Sequence, residues 1–425
     1  MSGSYVSSNY ASGSDAVGAT IRVEGARILA TLIRTVGDVQ LAEDAVQEAT
    51  LAALNSWPVS GVPPEPRAWL TVTARRKAID ILRREHARPT KEQDGFRMIE
   101  LSRSDLPSDD VVHDDQLRLI FTCCHPALAP ATRIALALRT LCGLSPAQIA
   151  AVLLTTEAAT TKRLTRARQK IAAAHIPYRV PAKDELADRL PAVCGVLHAL
   201  YTAGHAPIEG TSSVDVDVCT EAIRLAELLH ALLPRESMPK AVLALLQLTE
   251  ARRPARLDED GDIVTLEQQN RALWDIDRID KGIALLNDSL RQSEGQADPY
   301  QLQAAIAAEH ARAPSYAATN WSEVLRLYDF LLSIAPSNAA ALARVVAAAE
   351  ADSPATGLVL LADLPPDPRW HAVRAELLAR EGRYAEAADE LSRSLEGPAT
   401  VPEQRFRERR RSLFSDLAIQ VSDCP

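Results

Sequence analysis

The chain is predicted to be all-α, with two small helical domains, the second a helix-turn-helix, followed by a longer helical extension. Three observations carry this. From residue 21 onward Ala, Leu, Arg and Glu dominate, and these are strong helix formers. Apolar residues recur at three- and four-residue spacing, and no stretch keeps the period-two alternation of a half-buried strand for long. Pro, Gly and polar residues cluster at 58–66 (PVSGVPPEP), 89–110, 176–181 (IPYRVP) and 252–262 (RRPARLDEDGD), where they punctuate the helices. These breaks predict a disordered tail at 1–20, a helical domain at 21–88, a linker at 89–112 and a helix-turn-helix domain at 113–177. A helical connecting domain follows at 178–270, then repeat-like helices at 271–425.

In the first domain, residues 41–57 (LAEDAVQEATLAALNSW) place Asp44, Gln47 and Glu48 at i, i+3 and i+4, on one polar helix face. Ala42, Ala45, Val46 and Ala49 take the other side. The next helix, 67–88, carries seven basic residues against Asp80 and Glu85, enough to lie along phosphates.

In the second domain, 133–141 forms an amphipathic helix that Gly143 breaks. Ser145, Pro146 and Gln148 then make a helix start, with a capping hydroxyl, Pro in the first turn and Gln three residues after the cap. A second helix from Glu157, capped at Thr155 or Thr156, turns Thr160, Leu164, Ala167 and Ile171 inward and Ala159, Lys162, Thr165, Arg166 and Gln169 outward. That is helix-turn-helix spacing with a basic recognition helix, since 157–179 holds six basic residues and one acid.

Across the 425 residues the formal charge is −9, with 47% hydrophobic and 24% charged residues, the balance of a globular chain of several domains. The average hides a split. Residues 1–180 hold 22 basic and 18 acidic side chains, and 181–425 hold 25 and 38, so a +4 half precedes a −13 half with a different partner or task. The start shows no basic-then-apolar leader, and no run approaches the roughly eighteen apolar residues of a membrane span. Cys123, Cys124, Cys142, Cys194, Cys219 and Cys424 show neither paired CxxC spacing nor the density of a disulfide scaffold. A reducing cytoplasm is expected, without membrane association.

Taken together and in this order, 42–49 (AEDAVQEA), 66–85 (PRAWLTVTARRKAIDILRRE) and 136–171 (LALRTLCGLSPAQIAAVLLTTEAATTKRLTRARQKI) resemble a group IV (extracytoplasmic-function) sigma factor of bacterial RNA polymerase. Residues 117–128 (LRLIFTCCHPAL) and the helical extension resemble the sigma-factor group with a C-terminal tetratricopeptide-like region. The resemblance implies that Asp44, Gln47 and Glu48 bind core RNA polymerase. It implies that Trp69, Arg75, Arg76, Arg83 and Arg84 meet the opened minus-ten element of promoter DNA, with Arg76 standing where the family often has Asn. At the minus-thirty-five element it implies Lys162 and Thr165 on base edges, Ala159 and Thr161 at the rim, and Arg163 and Arg166 on phosphates. The linker, with three basic and six acidic residues, reaches at most about 80 Å, and the two elements stand roughly 55 Å apart.

In the extension, 321–338 (WSEVLRLYDFLLSIAPSN) and 382–391 (GRYAEAADEL) resemble tetratricopeptide repeats, with Trp321 and Tyr384 close to two periods apart. Such stacks offer a concave surface to a peptide or protein partner, and the extension is expected to modulate activity. Weaker constellations read as structural. Cys123, Cys124 and His125 point in different directions on a helix, which favours packing over metal. Asp258, Asp260 and Asp262 evoke a calcium loop whose Gly261 is misplaced and whose last position is Gln269. Arg252, Arg253 and Arg256 beside that turn read as a local ion-pair cluster in preference to a small-anion site. No nucleophile, phosphate-cradling Gly loop or paired-carboxylate site is present, so neither enzymatic activity nor a cofactor is expected. The competing reading is a helix-turn-helix regulator with a repeat sensor domain that acts without being a polymerase subunit.

Overall fold

The computed structural model describes residues 13–85 and 109–422, apart from residues 154, 175, 177, 180, 182, 208, 209 and 294. The expected tail up to residue 12 and the acidic linker over 89–108 lie outside the described residues. The described chain is helical, without a named strand, and divides into two compact units, Met1–Leu200 and Tyr201–Pro425.

The first unit begins with α1 (Gly13–Val36), α2 (Val39–Ser60) and α3 (Pro66–Glu85). Helix α1 starts inside the stretch expected to be a tail: Ala16 and Val17 are buried, and two apolar anchors outweigh the poor helix propensity of the Ser and Gly around them. Asp38 caps α2, its Oδ1 accepting from the Leu41 amide at 3.0 Å, an interaction worth about 1 kcal/mol. One stripe of α2, Ala42, Ala45, Ala49, Ala53 and Trp57, is buried against α1 and α3, and α3 answers with Leu70, Ala74, Ala78 and Leu82 at four-residue spacing.

Helices α4 (Asp109–Cys123), α5 (Pro130–Cys142), α6 (Pro146–Val152) and α7 (Glu157–Ala173) form the second module, and α8 (Lys183–His205) follows. Gly143 ends α5 with φ +64°, the left-handed conformation that favours glycine. Helix α1 packs on both α4 and α5, so the two modules of this unit are docked on each other. A fully buried carboxylate, Asp115, ties them: Arg34 Nε reaches it at 2.8 Å and Arg118 Nη1 at 3.0 Å. Tyr178, in a stretch read from sequence only as a break, donates to the backbone carbonyls of Ala30 and Asp115.

The second unit builds on α9 (Val216–Leu232), α10 (Ser237–Glu250), α11 (Ile276–Gln292) and α12 (Pro299–Arg312), followed by α13 (Trp321–Ile334), α14 (Asn338–Ala351), α15 (Pro354–Leu361), α16 (Pro368–Arg380), α17 (Tyr384–Ser394) and α18 (Val401–Ser422). Each of these packs on its neighbour in sequence. Helix α10 is buried from Pro239 through Leu248. Helix α11 approaches so closely that a Cβ at Gly282 would stand 2.7 Å from Leu248 Cγ. One core joins Ala244, Leu248, Ala251 and Ala255 to Trp274, Ile279, Leu286, Ala304 and Ala308. The boundary expected at 270/271 therefore cuts through a continuous core: its Pro, Gly and charged residues mark a long loop, not a domain junction.

Candidate nucleic-acid interface

The helix-turn-helix is assembled by local rules. Gln148 Oε1 accepts from the Ser145 amide at 2.8 Å and Ser145 Oγ from the Gln148 amide at 3.2 Å, a reciprocal capping box that starts α6. Thr156 caps α7, accepting from the Ala159 amide at 3.2 Å. Thr160, Leu164, Ala167 and Ile171 are buried, which leaves Ala159, Thr161, Lys162, Thr165 and Arg166 exposed and Arg163 half-buried. These six residues, expected to meet the minus-thirty-five element, share one end of one helix. Thr165 donates to its own helix, to the Thr161 carbonyl at 3.0 Å, so its hydroxyl can still accept.

On α3, Arg76, Arg83 and Arg84 are exposed, whereas Arg75 and Trp69 are half-buried. Arg83 stands 3.9 Å from Asp80, and Arg84 Nε donates to the Asp80 carbonyl at 3.3 Å, both loose surface contacts. The Trp69 ring meets Trp57 edge to face, with centroids 5.6 Å apart. This contact fixes the end of α2 against the start of α3, so Trp69 is a packing residue as well as a candidate DNA contact.

On α2, Asp44 and Gln47 are exposed; Glu48 is half-buried and paired with Lys77 at 3.4 Å. Leu51 and Leu54 carry the face onward, 56% and 38% exposed, large apolar side chains open to water one and two turns beyond Gln47. The sequence reading missed them, although apolar residues continuing a polar face are a readable sign of a contact surface.

It also missed Glu43, which shares the helix with Asp44 yet is buried. Its Oε2 lies 2.7 Å from Arg168 Nε on α7. Burial raises the Glu43 carboxyl, and Arg168 and Arg139 oppose that rise. Arg168 thus lies on the flank of the recognition helix that faces the first module, and nothing local to α2 distinguishes Glu43 from its acidic neighbour.

The remaining constellations resolve into structure. Cys123 and Cys124 are buried; Cys123 Sγ stands 3.3 Å from Thr140 Oγ1, Cys124 Sγ 3.8 Å from the Ala192 carbonyl, and burial pushes the Cys123 thiol up to about 12. Asp258 Oδ1 accepts from the amides of Asp260 and Asp262, closing a tight turn with Gly261 at φ +75°, and Asp262 pairs with Arg405 at 2.8 Å and with Arg409. Among the described residues Arg253 pairs with Glu250 at 2.5 Å whereas Arg252 and Arg256 make no ion pair, so the expected local cluster does not form around them. Among the described residues no group of His, Cys, Asp and Glu is arranged to hold a metal ion, and no helix is long and apolar enough to cross a membrane.

Three family profiles match the chain: Sigma-70 region 2 over residues 21–88, Sigma-70 region 4 over 118–171, and a family of unknown function, DUF6596, over 189–290. An uncharacterized protein of Rhizobium meliloti is 38% identical over 377 residues, covering 86% of this chain and 88% of its own. A probable ECF RNA polymerase sigma factor, SigI, of Mycobacterium tuberculosis is 34% identical over 180 residues, which is 41% of this chain and 61% of that protein. No solved structure matches. The first two profiles fall on α1 to α3 and α4 to α7, and the third on α8 to α11, across the expected boundary at 270/271.

Proposed function

We propose that this chain, which belongs to one family with the Rhizobium meliloti protein and carries sigma-70 regions 2 and 4, is an alternative sigma factor that binds core RNA polymerase and directs initiation at minus-ten and minus-thirty-five elements. The observation that carries the reading is the division of labour within residues 1–200. An acidic and apolar face on α2 (Asp44, Gln47, Leu51) suits a protein partner, while exposed cations on α3 (Arg76, Arg83, Arg84) and α7 (Lys162, Arg166) suit phosphate and base edges. A regulator that bound DNA alone would need the second set and not the first.

Phosphate contacts position the protein and base-edge contacts specify the site. Arg75, Arg76, Arg83, Arg84, Arg163 and Arg166 take the first role, Lys162 and Thr165 the second, and Trp69 supports the melted region. Promoter elements roughly 55 Å apart require the docked modules to separate, so the Arg168–Glu43 and Arg34–Asp115 pairs belong to the resting form. The extension, whose helices pack in chain order like a repeat stack, modulates activity by binding a peptide or protein partner.

Run-off transcription with purified core polymerase tests this. Asp44→Arg with Gln47→Arg removes co-purification with core enzyme, whereas Lys162→Ala with Arg166→Ala keeps core binding and loses the promoter-dependent transcript. Equal core binding by the first variant would overturn the sigma reading in favour of a free-standing helix-turn-helix regulator. A chain ending at residue 180 reads out the extension: loss of transcript makes it a required part, and gain makes it an inhibitor.

A further inference from the structure

The loop between α10 and α11, residues 251–275, is the longest described segment without an α-helix. Loops of this length inside a packed domain are uncommon and usually functional. Two short 3-10 turns, Arg253–Ala255 and Arg271–Leu273, pack together within it, and the Asp275 amide donates to the Ala251 carbonyl at 2.9 Å, closing its ends. The closure gathers Arg252, Arg256 and Arg271.

Two of the three guanidinia are held by neutral groups. Arg256 Nη1 donates to the His205 carbonyl at 2.6 Å and lies 2.9 Å from His205 Nε2. Arg271 Nη1 donates to the carbonyls of His310 and Ala313 at 2.8 and 2.6 Å, with its Cζ 4.4 Å over the Trp274 ring. The nearby carboxylate, Glu250, is taken by Arg253 and by the Tyr201 hydroxyl at 3.0 Å. Among the described residues Arg252 has neither an ion pair nor a side-chain hydrogen bond, and its Nε is buried without a partner. Arg271 Nη2, Trp274 Nε1 and His310 Nδ1 are likewise shut from solvent with no partner. Burial and Arg256 hold the Arg252 guanidinium down to about 10, and burial, Arg252 and Arg271 hold His310 down to about 4.

A guanidinium does not escape such a site by losing its proton at neutral pH, and buried donors left unmatched are rare in native proteins. Among the described residues no carboxylate is left to compensate the arrangement. We infer that Arg252 and Arg271, with Arg256, Trp274 and His310 beside them, form a binding site for a small oxyanion, the phosphate or carboxylate of a metabolite. Guanidinium forks match both oxyanions, and the half-buried arginines leave the cluster partly open to solvent. The site lies in the second unit and stands independently of the sigma reading.

Thermal unfolding and calorimetry of the full chain test it, with inorganic phosphate and citrate each set against sodium chloride at equal ionic strength. At least one of the two raises Tm saturably beyond chloride. Response to phosphate alone assigns a phosphorylated ligand, to citrate alone a carboxylate, and to both a general oxyanion site. Arg252→Gln weakens binding by at least about tenfold while its Tm in chloride is unchanged or higher, because it removes one of several like charges; a merely structural arginine would lower it. Arg271→Gln also loses two backbone hydrogen bonds, so Arg252→Gln carries the test, with exposed Arg235→Gln as the control that keeps the response. No effect of either anion beyond chloride, or an undiminished effect in Arg252→Gln, overturns the inference.

Discussion

In residues 1–200 two guanidinia, Arg34 and Arg118, close on one fully buried carboxylate, Asp115; in residues 201–425 Arg252, Arg256 and Arg271 gather where the carboxylate at hand, Glu250, is already committed to Arg253. The first cluster is complete. Its charge is compensated in place, Tyr178 seals its backbone, and its work is to hold α1 against α4. The second is anchored through carbonyl groups, which fix the position of a guanidinium without neutralising it. The same side chain serves as mortar in one unit and as the proposed oxyanion receptor in the other, and whether a carboxylate of the chain compensates it separates the two uses.

The largest effect that would break this comparison is at Asp115. Asp115→Ala leaves Arg34 and Arg118 facing a hole, and because both are about one-third exposed and can turn to water, the loss should be near the lower end of the ~3–5 kcal/mol typical of a broken buried pair. Denaturant unfolding reads it directly. If Asp115→Ala cost no more than Arg252→Gln, the distinction between a complete and an incomplete cluster would fail.

A functional effect of the next size belongs to the exposed cations. Lys162→Ala with Arg166→Ala removes side chains open to solvent, so unfolding should shift by less than ~0.5 kcal/mol. Promoter binding should weaken by about 10- to 100-fold, with the slope of log affinity against log salt reduced by about 1 to 2. Titration of promoter DNA by the polymerase complex at several salt concentrations checks both. A large loss of stability would mean that α7 holds the fold through its outer face.

Between these extremes lies Glu43, buried but only partly compensated. Its folded carboxyl is raised, so above the ordinary value of 4.5 the folded state holds a proton that the unfolded state has released, and stability falls as pH rises through that window. Arg168 limits the fall. Arg168→Ala should steepen it between pH 4.5 and neutrality, at a cost of about 1–2 kcal/mol at pH 7, and Glu43→Gln added to Arg168→Ala should abolish that added slope. An unchanged slope in the single variant would show that Arg139 alone compensates Glu43.

The recognition helix was legible because everything that shapes it is local: Ser145 with Gln148, Gly143, Thr156, and the stripe from Thr160 to Ile171 all fall where spacing puts them. The polar face of α2 was legible in part. Asp44 and Gln47 are open, but adjacent Glu43 is buried by a partner on α7, far away in sequence, and no periodicity encodes that. The arginine cluster escapes the sequence for the same reason: proximity to Asp258, Asp260 and Asp262 suggests ion pairs, whereas Asp262 pairs with Arg405 and Arg409 and, among the described residues, none of the three carboxylates pairs with Arg252. Helix α1 began early because burial of Ala16 and Val17 overrides a Ser- and Gly-rich composition.

The smallest effect probes the receptor cluster through its histidine. Burial, then Arg252 and Arg271, depress His310 to about 4 from an ordinary value near 6.5. Between those values the unfolded chain binds a proton that the folded chain does not, so this group's contribution is full above pH 6.5 and is lost as pH falls toward 4. His205 behaves alike, held to about 3 by burial and by Arg256, Arg252 and Arg253, so a single curve does not isolate either. The difference between the native chain and His310→Asn does. That difference should shrink when a saturating oxyanion is present, because negative charge beside Arg252 and Arg271 raises His310 toward its ordinary value and returns the proton to the folded state. A bound anion that left the difference unchanged would sit elsewhere than beside His310, and would confine the receptor to the Arg252 side of the loop.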